Sequence, residues 1–587
     1  MIFNAFKINF TTSFTMKPLL FTFFSMLFIA SFSVHAQTTI LTTNSNINKK
    51  LLKAEVHSYS VTLEKGQYTE CIVMQKGVDL AVDLISPSGK KLKTFDSPNG
   101  TNGPETVSIV ADEPGNYLLQ IYPMVAGQSG ISDSASVAKF AEENQGDYSI
   151  NQVNILSANE YKLKLEKQAA GKVDFTNFLI KNAHAIKTVD AGNGFEDLQA
   201  FKTILKDVKV VGLGESSHGT SEFFRMKHRM LEFLVKEMGY NSFYIEASMA
   251  RCRYINNYVL HGKGNLDTAT VIQGFTTWRV EEVRNMIEWI RKYNQDKPME
   301  KKVKFMGYDL QINDVGWKAL KQFYNSANAL MVPVIDSLQN QSQKAAILSN
   351  GNYVAQTKGA ELFKKINADC INVLADIALN KGRYEYATGK ETYNENLVNI
   401  KLIIQEIESF KDGYNDRRDY YMAQNIMELL GEEKPDAKVV VWAHNGHINN
   451  TVLDSISFMG HYLSNYLQNK YYAIGFEFYS GSFQTRNLDI NNHSHNWDIV
   501  TVGEPDKESL PWYFNKVGNP NFYIDFRNTN AVSQPLYRQT FSDHYFGSSY
   551  SPSKGHPLSF MNLSDFDGMI YIKTSTAAKN FSKLILQ

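Results

Sequence analysis

Glu215 and His218 stand three residues apart in the turn of "KVVGLGESSHGTSEFFRMKHRM", Lys209 to Met230, where an apolar run passes through glycines into an amphipathic helix pattern. A second group, His444 and His447, closes the apolar run of "KVVVWAHNGHI" far downstream, and Glu246 ends the run of "SFYIEA" between them. Histidine, with an ordinary pKa near ~6.5, takes a proton from water at neutral pH. It does so efficiently when a carboxylate fixes its tautomer and stabilises the imidazolium. Paired histidines and carboxylates in this pattern point to water activated for hydrolysis.

The turn invites other readings. "GLGESS" approaches the dinucleotide fingerprint, with Gly212 and Gly214 in place, but Ser217 stands where the third glycine belongs. Glu215 would also aim a negative charge at the pyrophosphate. A nucleophilic Ser216 or Ser217 would need a G-x-S-x-G elbow, and His218 occupies the second glycine position. The same histidines and carboxylates suit a divalent metal whose bound water attacks. No H-E-x-x-H or comparable helical pair of histidines supports that chemistry, so no metal or other cofactor is assigned.

These groups need elements to carry them. "VKVVGL", "SFYIEA", "VKFMGYD", "KVVVWAH", "YYAIGFEF", "NFYIDF" and "MIYIKT" read as short strands buried on both faces, interspersed with helical periods. The expected fold is α/β, a mostly parallel sheet flanked by helices. Between about 316 and 431 the pattern is almost wholly helical, as in "LVNIKLIIQEIESF", which predicts a helical insertion. In open α/β sheets ligands bind outside the carboxyl ends of the strands. There the sequence places Glu215, Glu246, Tyr308, Asp309, His444, His447 and Glu477. Asp309 equally fits a helix N-cap, and Glu215 a charge that favours the following helix N-terminus.

Upstream, from about residue 37 to 157, alternating apolar and polar residues with regular turns predict a small all-β sandwich. Its turns "SPSG" and "DEPGNY" resemble those of secreted pre-peptidase C-terminal modules. It carries no catalytic cluster, so an accessory or docking role at the cell envelope is expected. The α/β domain then runs from 158 to 587. Ahead of the sandwich, Lys17, an apolar run from Leu19 to about Phe32 and the small-residue site Val34-His35-Ala36 read as a secretory signal peptide, residues 1–36. The run is short of the roughly 20 residues that span a bilayer. Cleavage near Ala36 predicts a secreted or periplasmic protein, whether translation starts at Met1 or Met16, with no transmembrane segment in the mature chain.

Composition narrows the partners. Lys plus Arg number 60 and Asp plus Glu 60, which gives no electrostatic reason to expect nucleic acid or an anionic membrane surface. Three cysteines, Cys71, Cys252 and Cys370, are widely spaced without CxxC or histidine partners and read as buried thiols. A small-molecule substrate is the partner left standing.

The segment "GLGESSHGTSEFFRMKHRMLEFLVKEMGYNSFYIEAS", with "WAHNGHI", "GYDLQ" and "RRDYYMAQNI", resembles the motifs of the erythromycin esterase family over about residues 175–587. The resemblance implies a carboxylic ester hydrolase using activated water, with macrolide lactones the ester in antibiotic-resistance members. By position it places Glu215, His218, Glu246 and His444 on the catalytic carboxylates and histidines, His444 as the base, with His447 in support. A basic residue of the family's first helix falls at Lys227 or Arg229, and Lys for Arg is not neutral where a bidentate fork is needed. With Tyr308 and Asp309, these are the expected substrate-binding residues. Two readings stand beside it: a metal-dependent hydrolase, and a non-catalytic ligand-binding protein of the envelope.

Overall fold

The computed structural model describes residues 38–53, 55–97, 100–124, 144–349, 353–410, 417–453, 456–489, 497–534, 536–537, 539–554 and 559–581. The expected leader, residues 1–36, lies outside them, as does most of the polar loop around residues 126–144. The chain divides into two compact units, Met1–Lys164 and Leu165–Gln587.

The first unit is all β. Two antiparallel-rich sheets, of five and four strands, face each other. Alternate residues of Leu80–Ile85 and Gly115–Pro123 turn inward, and Val82, Leu84, Leu119 and Ile121 meet Val73, Val107 and Ile150 in one core. An inward stripe every second residue is what a pleated strand provides.

The second unit is α/β. Its strands are β1 (Val210–Leu213), β2 (Ser242–Ser248), β3 (Lys304–Asp309), β4 (Val439–Trp442), β5 (Tyr471–Asn487), β6 (Asn521–Asp525) and β7 (Gly568–Ser575). Their order across the main sheet is β6-β7-β5-β1-β4-β2-β3. From β7 to β3 the neighbours are parallel, while β6 runs antiparallel to β7. Every residue of β1 and β4 is buried. The unbroken apolar runs hide an alternation. Val440 and Trp442 enter the core on one face of the sheet, Val439 and Val441 the core on the other.

Four helices matter to the site: α1 (Ser221–Met238), α2 (Met249–His261), α3 (Lys390–Phe410) and α4 (Arg418–Gly431). Helix α1 buries Phe223, Phe224, Met226, Met230, Leu231, Phe233 and Leu234 against the sheet, the stripe a 3.6-residue period predicts. Helices from Asp314 to Gly431 fill the stretch between β3 and β4 and hold their own core around Leu320, Phe323, Ile366 and Ile403. Among the described residues no helix is long and apolar enough to cross a membrane.

Candidate active site

Strand β4 is inserted between β1 and β2, so the carboxyl ends that carry His218, His444 and Glu246 are immediate neighbours. The glycines of the first motif serve this crowding. A Cβ on Gly219 would collide with the Gln484 carbonyl, and one on Gly214 with the Asn445 side chain. The turn is glycine-rich for close backbone packing, not for a phosphate.

Glu215 is fully buried, and three groups consume it. Its Oε1 lies 2.7 Å from His218 Nδ1, and its Oε2 accepts from Lys227 Nζ at 2.6 Å and Trp442 Nε1 at 2.9 Å. Lys227 is as buried as its partner and rests 4.3 Å above the Trp442 ring. Burial pulls its pKa down to about 8 against the pull of Glu215. The carboxylate makes His218 Nδ1 the protonated nitrogen, which leaves Nε2 with a lone pair. No hydrogen bond to that Nε2 forms among the described residues.

Glu246 anchors the second half. Arg418 Nη2, from the first turn of α4, donates to Glu246 Oε1 at 2.7 Å and to Asp309 Oδ2 at 2.6 Å. His447 Nδ1 lies 2.8 Å from Asp419 and its Nε2 3.3 Å from Glu246. Burial lowers the His447 pKa, but Asp419 and Glu246 overcome it and hold the ring at about 10. It is therefore an imidazolium at neutral pH, and its Nε2–H and Arg418 Nη2 both point to Glu246 Oε1, with Arg418 Nη1 3.1 Å from that Nε2. Burial opposes the ionised form of Glu246, yet His447 and Arg418 keep its carboxyl well below the usual range.

His444 links the halves. Its backbone N–H donates to Glu246 Oε2 at 3.1 Å, and its ring lies 4.9 Å from that of His218. As N-cap of a short helical turn, its Nδ1 accepts the Gly446 N–H at 3.2 Å. The neutral ring then carries its proton on Nε2, which is buried without a hydrogen-bond partner. Burial, with the His447 imidazolium beside it, pushes the His444 pKa well below the usual value. It is a neutral imidazole that presents an N–H.

His218, Glu246, Arg418, His444 and His447 border one cleft of about 270 Å³, with Phe275, Trp278, Gln311 and Tyr545 among its walls. Of the residues expected from the sequence, Glu215 and Lys227 lie directly behind this set. Asp309 is committed to Arg418 and to the Gln311 N–H. Tyr308 is fully buried and donates to the Trp442 carbonyl. Arg229 points elsewhere, gripping Asp197 at 2.6 Å and the Thr188 and Gly194 carbonyls. Glu477 is buried beneath the turn and accepts the Phe478 N–H at 2.7 Å. The motif serines face away from the imidazoles: Ser217 Oγ meets Thr220 Oγ1 at 2.7 Å, and Ser216 Oγ reaches Glu477.

Arg418, Asp419, Gln311 and Tyr545 were not legible as site residues. Arg418 and Asp419 sit in "RRDYYMAQNI", but on a helix with no strand end to mark them. Among the described residues no trio of His, Cys, Asp or Glu is arranged to hold a metal ion. The carboxylates present are already paired with Lys227, Arg418 and the histidines. The three cysteines are buried free thiols.

The family model described as Erythromycin esterase matches residues 235–575. That span contains Glu246, Arg418, His444 and His447. The Escherichia coli protein named Erythromycin esterase type II is 26% identical over 380 residues, covering 60% of this chain and 88% of its own. A crystal structure of a Bacillus cereus protein superposes with a TM-score of 0.59 at 23% identity, covering 70% of this chain and 99% of that one. A second, titled a succinoglycan biosynthesis protein, superposes with a TM-score of 0.57 at 22% identity, covering 70% and 98%. The two solved structures share the fold of the α/β unit.

Proposed function

From the premise that the chain belongs to the erythromycin esterase family and is a hydrolase of that family, we propose that it cleaves a carboxylic ester with water activated by His218. One observation carries this division of labour. His218 and His444 both line the cleft with their rings 4.9 Å apart, and their Nδ1 bonds leave His218 Nε2 with a lone pair and His444 Nε2 with a proton. The family resemblance suggests His444 as the base; the hydrogen bonds support the reverse.

In this mechanism His218 Nε2 takes a proton from water while Glu215 holds the Nδ1–H and stabilises the imidazolium. The hydroxide attacks the ester carbonyl carbon. Negative charge then develops on the carbonyl oxygen, where the neutral His444 Nε2–H donates to it. His218 returns its proton to the alkoxide as the C–O bond breaks, releasing acid and alcohol. Lys227 and Trp442 hold Glu215 in position by hydrogen bonds, and Arg418 does the same for Glu246, which holds the His444 backbone.

We also propose that the protein is secreted or periplasmic, on the strength of the leader pattern up to Ala36. N-terminal sequencing of the mature protein tests this, and an intact Met1 or Met16 would refute it. Whether the ester is a macrolide lactone is tested by turnover of macrolides beside p-nitrophenyl esters. The esterase reading fails if wild type turns over none of them, or if His218→Asn matches the wild-type rate.

A further inference from the structure

Two turns with left-handed backbone lie against each other at the wall of the cleft. Ile312 has φ 65° and Gly274 φ 114°. Glycine adopts this conformation freely, but a β-branched residue does so only when its surroundings force it. The surroundings are specific. Ser248 Oγ donates to the Ile312 carbonyl at 3.0 Å, and the Ser248 N–H donates to the Gln273 carbonyl at 3.2 Å. Arg251 forks onto Asp314 at 2.8 and 2.7 Å and reaches the Ile272 carbonyl at 3.2 Å. From α3, Glu406 accepts the Asn313 amide at 2.9 Å. The Ile312 side chain packs so closely over Gly274 that a Cβ there would lie 3.1 Å from its Cδ1.

Each left-handed position adjoins a residue of the cleft wall: Gln311 precedes Ile312, and Phe275 follows Gly274. Gln311, Thr277 and Ser548 line the cleft, and their side chains form no hydrogen bond among the described residues. The charged groups of the cleft are, by contrast, nearly all paired with one another. The unspent polar capacity is neutral, and it lies beside the apolar faces of Phe275 and Trp278.

We propose that Gln311 determines specificity by hydrogen-bonding a hydroxyl group that the ester substrate carries close to its reacting carbonyl, with Ile312 as the residue that positions it. The substrate class is a hydroxylated, uncharged ester. This inference rests on the esterase reading, and strain at Ile312 is retained because it aims the amide. A site built to hydrogen-bond a substrate hydroxyl rejects the analogue that lacks it, since its polar group is then left unmatched.

The test uses the full chain and matched pairs of ligands, each with and without a hydroxyl on the acyl chain. Turnover is measured on p-nitrophenyl butyrate and p-nitrophenyl 3-hydroxybutyrate. Binding is measured by calorimetry on the corresponding unreactive alkylphosphonate esters. Wild type is expected to prefer the hydroxylated member by about tenfold or more. Gln311→Ala loses that preference, the KM of the hydroxylated ester rising toward that of the plain one. Ile312→Gly, free to leave the left-handed region, weakens the preference in the same way. An equal loss on both esters, or a preference untouched by Gln311→Ala, overturns the assignment of Gln311. A full preference in Ile312→Gly overturns the positioning role. Selective phosphonate binding without turnover of either ester would sink the esterase reading while leaving Gln311 as the selective contact.

Discussion

The rings of His218 and His444 face each other 4.9 Å apart at a tilt of 50°, one at the end of β1 and the other at the end of the adjacent parallel strand β4. Their outer nitrogens are anchored oppositely, one donating to a carboxylate and the other accepting a backbone N–H. Two identical side chains thereby differ at Nε2, one keeping a lone pair and the other an N–H.

The first prediction separates those roles. His218→Asn should lower kcat by about 10²–10⁴-fold, the range for losing a general base. His444→Gln, which retains an N–H, should keep more activity than His444→Ala, whose loss should be about 10²–10³-fold. Equal rates for the two His444 variants would remove the donor role. Steady-state kinetics on one chromogenic ester is sufficient.

Lys227 is buried against Glu215 and Trp442, so Lys227→Met strands a buried carboxylate. The expected cost is about 3–5 kcal/mol of stability, the penalty for removing one partner of a buried pair. Denaturant unfolding measures it, and a loss below about 1 kcal/mol would show that Glu215 finds water instead. Lys227→Arg should not restore wild-type activity, because a planar fork cannot occupy the space of an ammonium seated on Trp442.

Arg418 joins Glu246, Asp309 and His447 from the last helix of the helical insertion. Arg418→Ala should abolish turnover and destabilise the fold by several kcal/mol through two uncompensated carboxylates. Retention of both properties would show that His447 alone neutralises Glu246.

His447 gives a pH signature in stability. Its folded pKa of about 10 lies above the ordinary ~6.5, so the native state holds a proton that the unfolded chain releases. Its contribution is complete below pH ~6.5 and is lost as pH rises through about 10. Lys227, lowered to about 8, acts with the opposite sign, favouring the native state as pH rises from there toward its ordinary value. Comparing wild type with His447→Asn isolates the first effect. The stability difference between them should shrink steadily from pH 6.5 to 10, and a constant difference would disprove the raised pKa.

Chelation bears on the metal-dependent alternative. With Glu215 and Glu246 engaged by Lys227, Arg418 and the histidines, ester turnover should survive chelator treatment. Loss of activity that zinc restores would favour the metallohydrolase reading.

The sequence by itself determined the candidate site residues and the class of fold. A carboxylate or imidazole that closes an apolar strand costs energy unless the site uses it, so Glu215, Glu246, His218 and His444 stood out from their surroundings. The double-faced burial of β1 and β4 was equally visible, because a parallel strand covered on both sides leaves a continuous apolar run. Tertiary structure decided the rest. Arg418, Asp419 and Gln311 occupy a helix start and a turn whose local patterns resemble any exposed polar segment, and only the order β1-β4-β2-β3 brings them to the histidines. The same packing sent Arg229 to Asp197 rather than to the cleft. It also set the tautomers, since which ring nitrogen keeps its proton depends on the partner that folding supplies and not on the histidine itself.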